Sequence, residues 1–445
     1  MKTLILAIDF GTTTTIVCGD ISGVGNPVFI KDNNSPLIPS VIYTMEDGRK
    51  LYGKFAEIKY DEAQRGKGIL VENFKLGLIS DDKDVRDRSK MYIKDFFANH
   101  IYKLYWQQKT DFPLHDKMKV RISHPSKWSQ ELCDFMVETV KLAGFNCDVE
   151  TIPEPLAISS YSLRTYQVEL KKLQMLECGI KYNVLICDMG GGTTDIVLCR
   201  LTIDNDGKIS ITESATYPEE GSTFMIGGSE VDLILSNYIQ NRCNISHKIF
   251  NVRHARLWKE QYVSKDLELG CEARTPSRIA DILSQITDIP NVDEIGAINR
   301  LIFENITKEH WATLIELIEK SVNDYNLKHK GFDNVDFVFL TGGHSQWYCI
   351  NEVIASLPNG FEKVIKEPVR LIKCPNPNET VARGLCCFDL CMLKSKNIDN
   401  KNVLKKDNKK TRSLLVNHHL LIILLIMNHG KLTLFGGGMD LIFNM

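Results

Sequence analysis

The chain has 445 residues, 43% hydrophobic and 25% charged, and its 54 basic and 56 acidic residues leave a net charge of −2. That length allows two or three domains with a large core. The composition excludes collagen-like, coiled-coil and wholly disordered chains, and near neutrality gives no reason to expect nucleic acid or an anionic membrane as partner. The 13 cysteines are odd in number, scattered and without a Cys-x-x-Cys pair, and no secretory signal is apparent, which predicts reduced thiols in a cytoplasmic protein.

The first apolar run, Leu4–Ile8, reads as a buried strand. It ends at Asp9-Phe10-Gly11-Thr12-Thr13-Thr14-Thr15, and Ile16-Val17-Cys18 resumes the pattern: strand, tight turn, strand. The spacing then predicts a strand over Lys119–Ser123 and helices over Gln130–Ala143 and Pro155–Leu163. The opening design returns at Val184–Cys187, Asp188-Met189-Gly190-Gly191-Gly192-Thr193-Thr194-Asp195 and Ile196-Val197-Leu198, its aspartate 179 positions after Asp9. One supersecondary unit used twice predicts a duplicated α/β fold with two similar lobes.

Helices are expected over Glu230–Arg242, Arg253–Leu267 and Lys308–Asn326. A third glycine turn, Leu340-Thr341-Gly342-Gly343, follows the buried strand Phe337–Leu340 and leads into a helical pattern, Tyr348–Leu357. A last helix is expected over Asn378–Leu393. Lys394–Arg412 then carries eight basic against two acidic residues among asparagines and reads as a disordered tail. The apolar stretch Leu414–Met427 is broken by Asn417, His418 and His419, too short for the ~20 residues of a membrane helix.

An aspartate at a strand end beside a glycine–threonine turn suits a nucleotide triphosphate. Glycines let successive backbone N–H groups face phosphate oxygens, threonine hydroxyls add donors, and the carboxylate holds Mg²⁺ through its waters. Two opposed turns can grip the β- and γ-phosphates from both sides. Either turn alone could be a plain hairpin.

The three turns resemble the phosphate 1, phosphate 2 and adenosine motifs of the actin-like ATPase superfamily. Within it, the chain is most similar to the ATPase domain of the seventy-kilodalton heat-shock chaperones. Ile152-Pro153-Glu154-Pro155-Leu156-Ala157 is similar to that family's glutamate–proline segment, and Glu72-Asn73-Phe74-Lys75 sits where the family carries a catalytic lysine. Gly227-Gly228-Ser229-Glu230-Val231-Asp232 resembles its Gly-Gly turn, and Val381-Ala382-Arg383-Gly384 its closing helix. The likeness spans about residues 4–393. It implies duplicated ribonuclease H-like lobes around a nucleotide cleft: lobe I at 1–183 with 378–393, lobe II at 184–377, and a basic tail at 394–445. The segment Arg242–Asn305 departs from the family, Gln261 stands where it has a ribose-binding glutamate, and His344 and Gln346 replace its usual serine and arginine.

The resemblance implies slow hydrolysis of ATP to ADP, with Mg²⁺ and with K⁺ as a further candidate ion. Asp9 and Asp188 would hold metal-bound water. Gly11, Thr12, Thr13, Thr14, Gly190, Gly191, Gly192 and Thr193 would contact phosphates. Lys75 would stabilise the transferred phosphoryl, and Glu154 and Asp195, with Thr193, would place the attacking water. Gly227, Gly228, Gly342, Gly343, His344 and the helical Lys265 would hold the adenosine. Each has a plainer role open to it: a surface lysine for Lys75 or Lys265, a helix-capping acid for Glu154, a hairpin-closing acid for Asp195.

Cys386, Cys387 and Cys391 fall on one helix without a ligand partner and read as core thiols rather than zinc ligands. Client polypeptides and co-chaperones are the partners implied. Nothing after Leu393 is long enough for the family's β-rich peptide-binding domain. A filament-forming actin-like protein and a small-molecule kinase of the same superfamily share the three turns and stay open; the Glu154-Pro155 segment and Lys75 favour the chaperone.

Overall fold

The computed structural model describes residues 2–21, 26–62, 67–125, 128–172, 177–203, 209–217, 226–286, 291–328, 334–357, 361–367, 370–374 and 376–388, and beyond them only 432–433 and 442–443. The chain divides into two compact units, Met1–Leu393 and Lys394–Met445. In the second, Leu432–Thr433 and Ile442–Phe443 pair antiparallel. The expected basic linker, the stretch Leu414–Met427 and Cys391 lie outside the described residues.

In the first unit, β1 (Thr3–Phe10) and β2 (Thr14–Ile21) form a hairpin, and β3 (Val28–Phe29) and β4 (Ile38–Pro39) pair with β2. A small sheet follows, built from β5 (Ile42–Thr44), β6 (Lys50–Tyr52) and β7 (Ile69–Val71), with α1 (Gly53–Glu62) between the last two. Next come α2 (Lys83–Phe96), a π turn at Phe97–Ile101 and α3 (Tyr102–Gln108). Strand β8 (Lys117–His124) then lies parallel to β1, and α4 (Gln130–Ala143) crosses to β9 (Asp148–Pro153), parallel to β8.

Helix α5 (Glu154–Lys172) leads to a second sheet, whose β10 (Lys181–Met189), β11 (Thr194–Ile203) and β12 (Ile209–Tyr217) form a meander. A helical stretch follows: α6 (Gly228–Cys243), α7 (Val252–Trp258), a π turn at Lys259–Val263, α8 (Ser264–Glu268), α9 (Ser277–Ile286), α10 (Val292–Ile295) and α11 (Arg300–Lys328). The chain returns through β13 (Phe337–Thr341), parallel to β10, then α12 (Ile350–Ala355), α13 (Glu362–Lys366), β14 (Leu371–Lys373) and α14 (Thr380–Cys387). The sheet orders are β3-β2-β1-β8-β9 and β12-β11-β10-β13-β14. In each, a central strand is antiparallel to its successor across a glycine turn and parallel to a strand far later in the chain.

Both central strands are buried on both faces, which is why they read as unbroken apolar runs rather than alternating ones. Leu185 and Cys187 of β10 belong to one cluster with Val231 and Leu235 of α6 and Leu314 and Ile318 of α11. Val184 and Ile186 turn the other way. They join Ala157 and Ile158 of α5, Val381 and Leu385 of α14, and Ala7, Ile16 and Cys18 of the first sheet in one cluster. Each fully buried aliphatic side chain of such a layer contributes roughly 1.5–3 kcal/mol. At its centre α14 meets α5 backbone to backbone: a Cβ on Gly384 would lie 2.0 Å from the Ala157 carbonyl oxygen.

Helix α4 matches its expected span. Ser129 caps it, accepting from the Leu132 N–H, and Gly144 ends it at φ 123°. Helix α11 starts eight residues before the expected Lys308, because Asn299 caps the extra turns by accepting from the Ile302 N–H and Phe303 is buried. Among the described residues all cysteines are free, and no helix is long and apolar enough to cross a membrane. Cys386 and Cys387 are buried, as expected of core thiols, and the Cys386 Sγ lies 3.6 Å from that of Cys18.

Candidate functional site

The β1–β2 turn is closed by the Gly11 N–H donating to the Thr14 carbonyl (3.1 Å), and the β10–β11 turn by the same bond one unit later, Gly190 N–H to the Thr193 carbonyl (2.8 Å). Each turn is braced from behind. Ser40 donates its N–H to the Thr13 carbonyl and its hydroxyl to the Gly11 carbonyl. Gly228 and Ser229 donate their N–H groups to the Gly190 and Gly191 carbonyls, so the Gly227–Gly228 turn packs on the second hairpin. The tips face each other: a Cβ on Gly191 would come within 2.8 Å of the Thr13 hydroxyl, and one on Gly192 within 3.8 Å of the Thr12 methyl. The third turn is flush with the second hairpin. Gly342 has φ +79°, and a Cβ there would strike the Met189 carbonyl at 2.2 Å and the Asp188 Oδ1 at 2.9 Å.

Below these turns the acidic groups converge. Asp188 sits directly opposite Asp195 in the β10–β11 ladder, a like-charge pair that destabilises a sheet unless a cation answers it. The Asp9 Oδ1 accepts from the Ser123 hydroxyl at 2.8 Å. The Lys75 Nζ donates to the Glu154 Oε1 at 3.2 Å, and each of the two residues is 8% exposed. The ammonium also lies 5.8 Å from the Phe10 ring centroid and 5.5 Å from that of Trp128. A narrow cleft is lined by Glu154, Asp188 and Asp195 together with Pro125 and Pro155.

Burial, and then the Glu154 carboxylate, push the Asp9 carboxyl up to about 7 against the pull of Lys75 and Ser123. Burial pushes Asp188 well above the carboxylate range, followed by Glu154, Asp195 and Asp9. Crowded around one lysine, two of the four carboxyls are thus driven to keep their protons, and a divalent cation there would favour their charged forms instead. Among the described residues no three His, Cys, Asp or Glu side chains are grouped to hold a metal ion by themselves. Carboxyls at two strand ends beside glycine–threonine turns suit an ion that keeps its waters and takes phosphate oxygens as further ligands, as Mg²⁺ does.

Two residues expected at the adenosine, Lys265 and His344, have different surroundings. Lys265 is exposed on α8, past the π turn. The lysine at the glycine turn is Lys259, whose Nζ donates to the Gly228 carbonyl (3.1 Å) and pairs with Asp232 (2.6 Å), which also pairs with Arg256. His344 follows Gly343 as expected, but its side chain turns into the protein: it is 4% exposed, and both ring nitrogens are engaged, by Trp347 and by His310.

Sequence reasoning also missed Arg253 of α7. Its guanidinium makes two bonds to Asp61 of α1 (2.9 and 3.2 Å) and reaches Glu72 and Glu57, tying the helical stretch beside the second sheet to the small sheet beside the first.

A family model described as "Hsp70 protein" matches residues 120–410, which takes in the Asp188 hairpin and the Gly227–Gly228 and Gly342–Gly343 turns. The chain is 30% identical to heat shock cognate 70 kDa protein 3 of Dictyostelium discoideum over 205 residues, 45% of this chain and 28% of the relative. It is 29% identical to heat shock 70 kDa protein 2 of Paracoccidioides lutzii over 205 residues, 45% of this chain and 27% of that one. Against chaperone protein dnaK of Phaeodactylum tricornutum it is 22% identical over 404 residues, 85% of this chain and 60% of that one. The matched stretches thus span between about a quarter and three-fifths of the relatives' length. With a family match over well more than half of its residues, the chain belongs to the Hsp70 family, as a divergent member related to its ATPase domain.

Proposed function

We propose that the chain binds ATP with Mg²⁺ between the two hairpins and hydrolyses it slowly to ADP and phosphate. The observation that carries this reading is the convergence of Asp9, Asp188, Asp195 and Glu154 with Lys75 beneath two opposed glycine–threonine turns. In this reading residues 1–183 with 378–393 form one lobe of an actin-like ATPase fold and 184–377 the other; the shared strand order of the two sheets supports it.

The N–H and hydroxyl groups of Gly11–Thr14 and Gly190–Thr193 bind the phosphates. Lys75 offers positive charge to the transferred phosphoryl group, and Glu154 and Asp195 orient the attacking water. Asp9 and Asp188 would hold a hydrated Mg²⁺, which would supply charge neutralisation at the phosphates. Most of the acceleration of phosphoryl transfer comes from such positioning and charge. The side chains placed at the second hairpin support Lys259 rather than Lys265 as the basic residue of that turn. By likeness to its relatives the chain serves as a chaperone-like nucleotide switch, with client polypeptides or co-chaperones as partners in the cytoplasm.

Calorimetry with ATP in the presence and absence of magnesium tests the reading. A magnesium-dependent binding heat is expected; its absence from folded protein ends the proposal.

A further inference from the structure

Behind the two glycine turns runs a chain of polar side chains with no part in the chemistry above. Glu230 stands in the first turn of α6, two residues after Gly228. His310 sits in the first half of α11, and His344 directly follows Gly343. The Trp347 Nε1 lies 3.2 Å from the His344 Nδ1, the His344 Nε2 2.8 Å from the His310 Nε2, and the His310 Nδ1 2.7 Å from the Glu230 Oε2. Trp311 stacks on His344 at 5.1 Å with an interplanar angle of 10°.

One proton arrangement satisfies every link. The indole N–H can only donate, so the His344 Nδ1 accepts and a neutral ring keeps its proton on Nε2. That N–H donates to the His310 Nε2, which leaves the His310 proton on Nδ1 to donate to Glu230. All donors then point toward the carboxylate beside Gly228. A proton added to either imidazole breaks a link: on His310 it sets two N–H groups face to face, and on His344 it opposes the indole N–H. Both rings are buried, and burial holds both below the usual histidine range. The nearby Lys259 ammonium, beyond α7, adds to this at both rings, His310 adds to it at His344, and Glu230 opposes it at His310.

We propose that His310 is a positioning residue for the nucleotide site: its neutral ring ties the Gly227–Gly228 turn to the Gly342–Gly343 turn, and acidification parts them and weakens nucleotide binding. The inference rests on the reading that these turns hold nucleotide, and it deepens that reading by naming what keeps them in register.

The full chain, His310→Gln and His310→Phe are compared from pH 8 to pH 5.5. ADP binding is measured by calorimetry in EDTA, which removes metal binding from the result, and the Asp9 and Asp188 carboxyls titrate alike in all three proteins. Nucleotide phosphates titrate identically in all three proteins, so differences between profiles are read. The glutamine amide can accept from His344 and donate to Glu230. His310→Gln should therefore bind within about twofold of the parent at pH 8 and lose less affinity on acidification, where the parent is expected to weaken about two- to threefold more by pH 5.5. His310→Phe leaves a buried N–H unpaired and should bind weakly throughout. Indole emission without nucleotide gives an independent readout, since His310 meets Trp311 edge-on with ring centroids 4.8 Å apart and its imidazolium quenches the indole: an acid quench is expected in the parent, and a weaker one, from His344 alone, in His310→Gln.

Identical pH profiles for the parent and His310→Gln, or parental affinity in His310→Phe, overturn the proposal. If the parent binds no nucleotide even with magnesium at pH 8, the ATPase reading fails and the coupling with it. The emission titration then still decides the relay: equal quenching in the parent and His310→Gln refutes it.

Discussion

Lys75 and Glu154 are 79 residues apart in the chain, yet they form a buried ion pair, one from the turn after β7 and the other from the first residue of α5. Asn73, at φ +56°, turns the backbone just before Lys75, and the strand register delivers Glu154 at the end of β9, where α5 begins. A surface lysine would not be enclosed in this way.

That enclosure separates two effects of substitution. Lys75→Ala leaves the four carboxylates without their cation, and breaking a buried pair costs about 3–5 kcal/mol. Its melting temperature without nucleotide should fall clearly, whereas Glu154→Gln, which keeps shape and hydrogen bonding, should fall less. Both are expected to bind ATP but to turn it over on the order of 10²-fold more slowly, as when one preorganised group is lost. Parental turnover in both would show that neither serves the reaction.

The raised Asp9 carboxyl makes a signed prediction about stability. Its unfolded value is about 3.9 and its folded value about 7. Between these the folded state holds a proton that the unfolded state has released, so this group lowers stability as pH rises through that window, and the loss is complete above it. Without metal or nucleotide, the melting temperature of Asp9→Asn minus that of the parent should grow from pH 5 to pH 8. Taking the difference cancels the His310–His344 pair, whose sign is opposite. A flat difference would mean that Asp9 is charged in the folded protein throughout. Magnesium with ATP should stabilise the parent more than Asp9→Asn.

Much of this arrangement was legible because it is local. An apolar run, an aspartate and a glycine–threonine turn within a dozen residues announce a strand-end site, and the design occurs twice. The lysine of the second turn was not legible for a geometric reason. The π turn Lys259–Val263 inserts an extra residue into the helical run, so a uniform 3.6-residue period misplaces everything after it. His344 was expected to serve nucleotide from its neighbourhood alone; only the fold shows His310, 34 residues earlier, drawing its ring inward. Arg253 and its acidic partners share no local pattern, since they are 181 to 196 positions apart.

Arg253 makes a kinetic prediction. Its contacts to Asp61, Glu72 and Glu57 are partly exposed, and such pairs contribute about 0.2–1 kcal/mol each. Together they would slow separation of the two sides of the cleft by roughly 5–30-fold, about 1–2 kcal/mol. Arg253→Ala should release labelled ADP faster by that factor, with single-turnover hydrolysis unchanged. Salt should accelerate release from the parent more than from the variant. Equal release rates in both proteins at low salt would remove Arg253 from any role in holding the cleft closed.

The last prediction concerns residues 394–445. The compact unit that holds both sheets and the whole candidate site ends at Leu393, although the family match continues to residue 410. The segment after Leu393 opens with eight basic and two acidic residues up to Arg412, too few of them apolar to pack a core. An exposed Leu420–Met427 would promote self-association. A chain ending at Leu393 should fold, keep its melting temperature within a few degrees, bind ATP with parental affinity and remain soluble at higher concentration. The opposing view is that Leu414–Met427 completes the core of the first unit. Its removal would then expose a matching apolar face, at roughly 1.5–3 kcal/mol for each leucine-sized side chain uncovered. Melting temperatures of the two chains, with and without nucleotide, separate these outcomes, and a large drop in the shortened chain would move the domain boundary past Leu393.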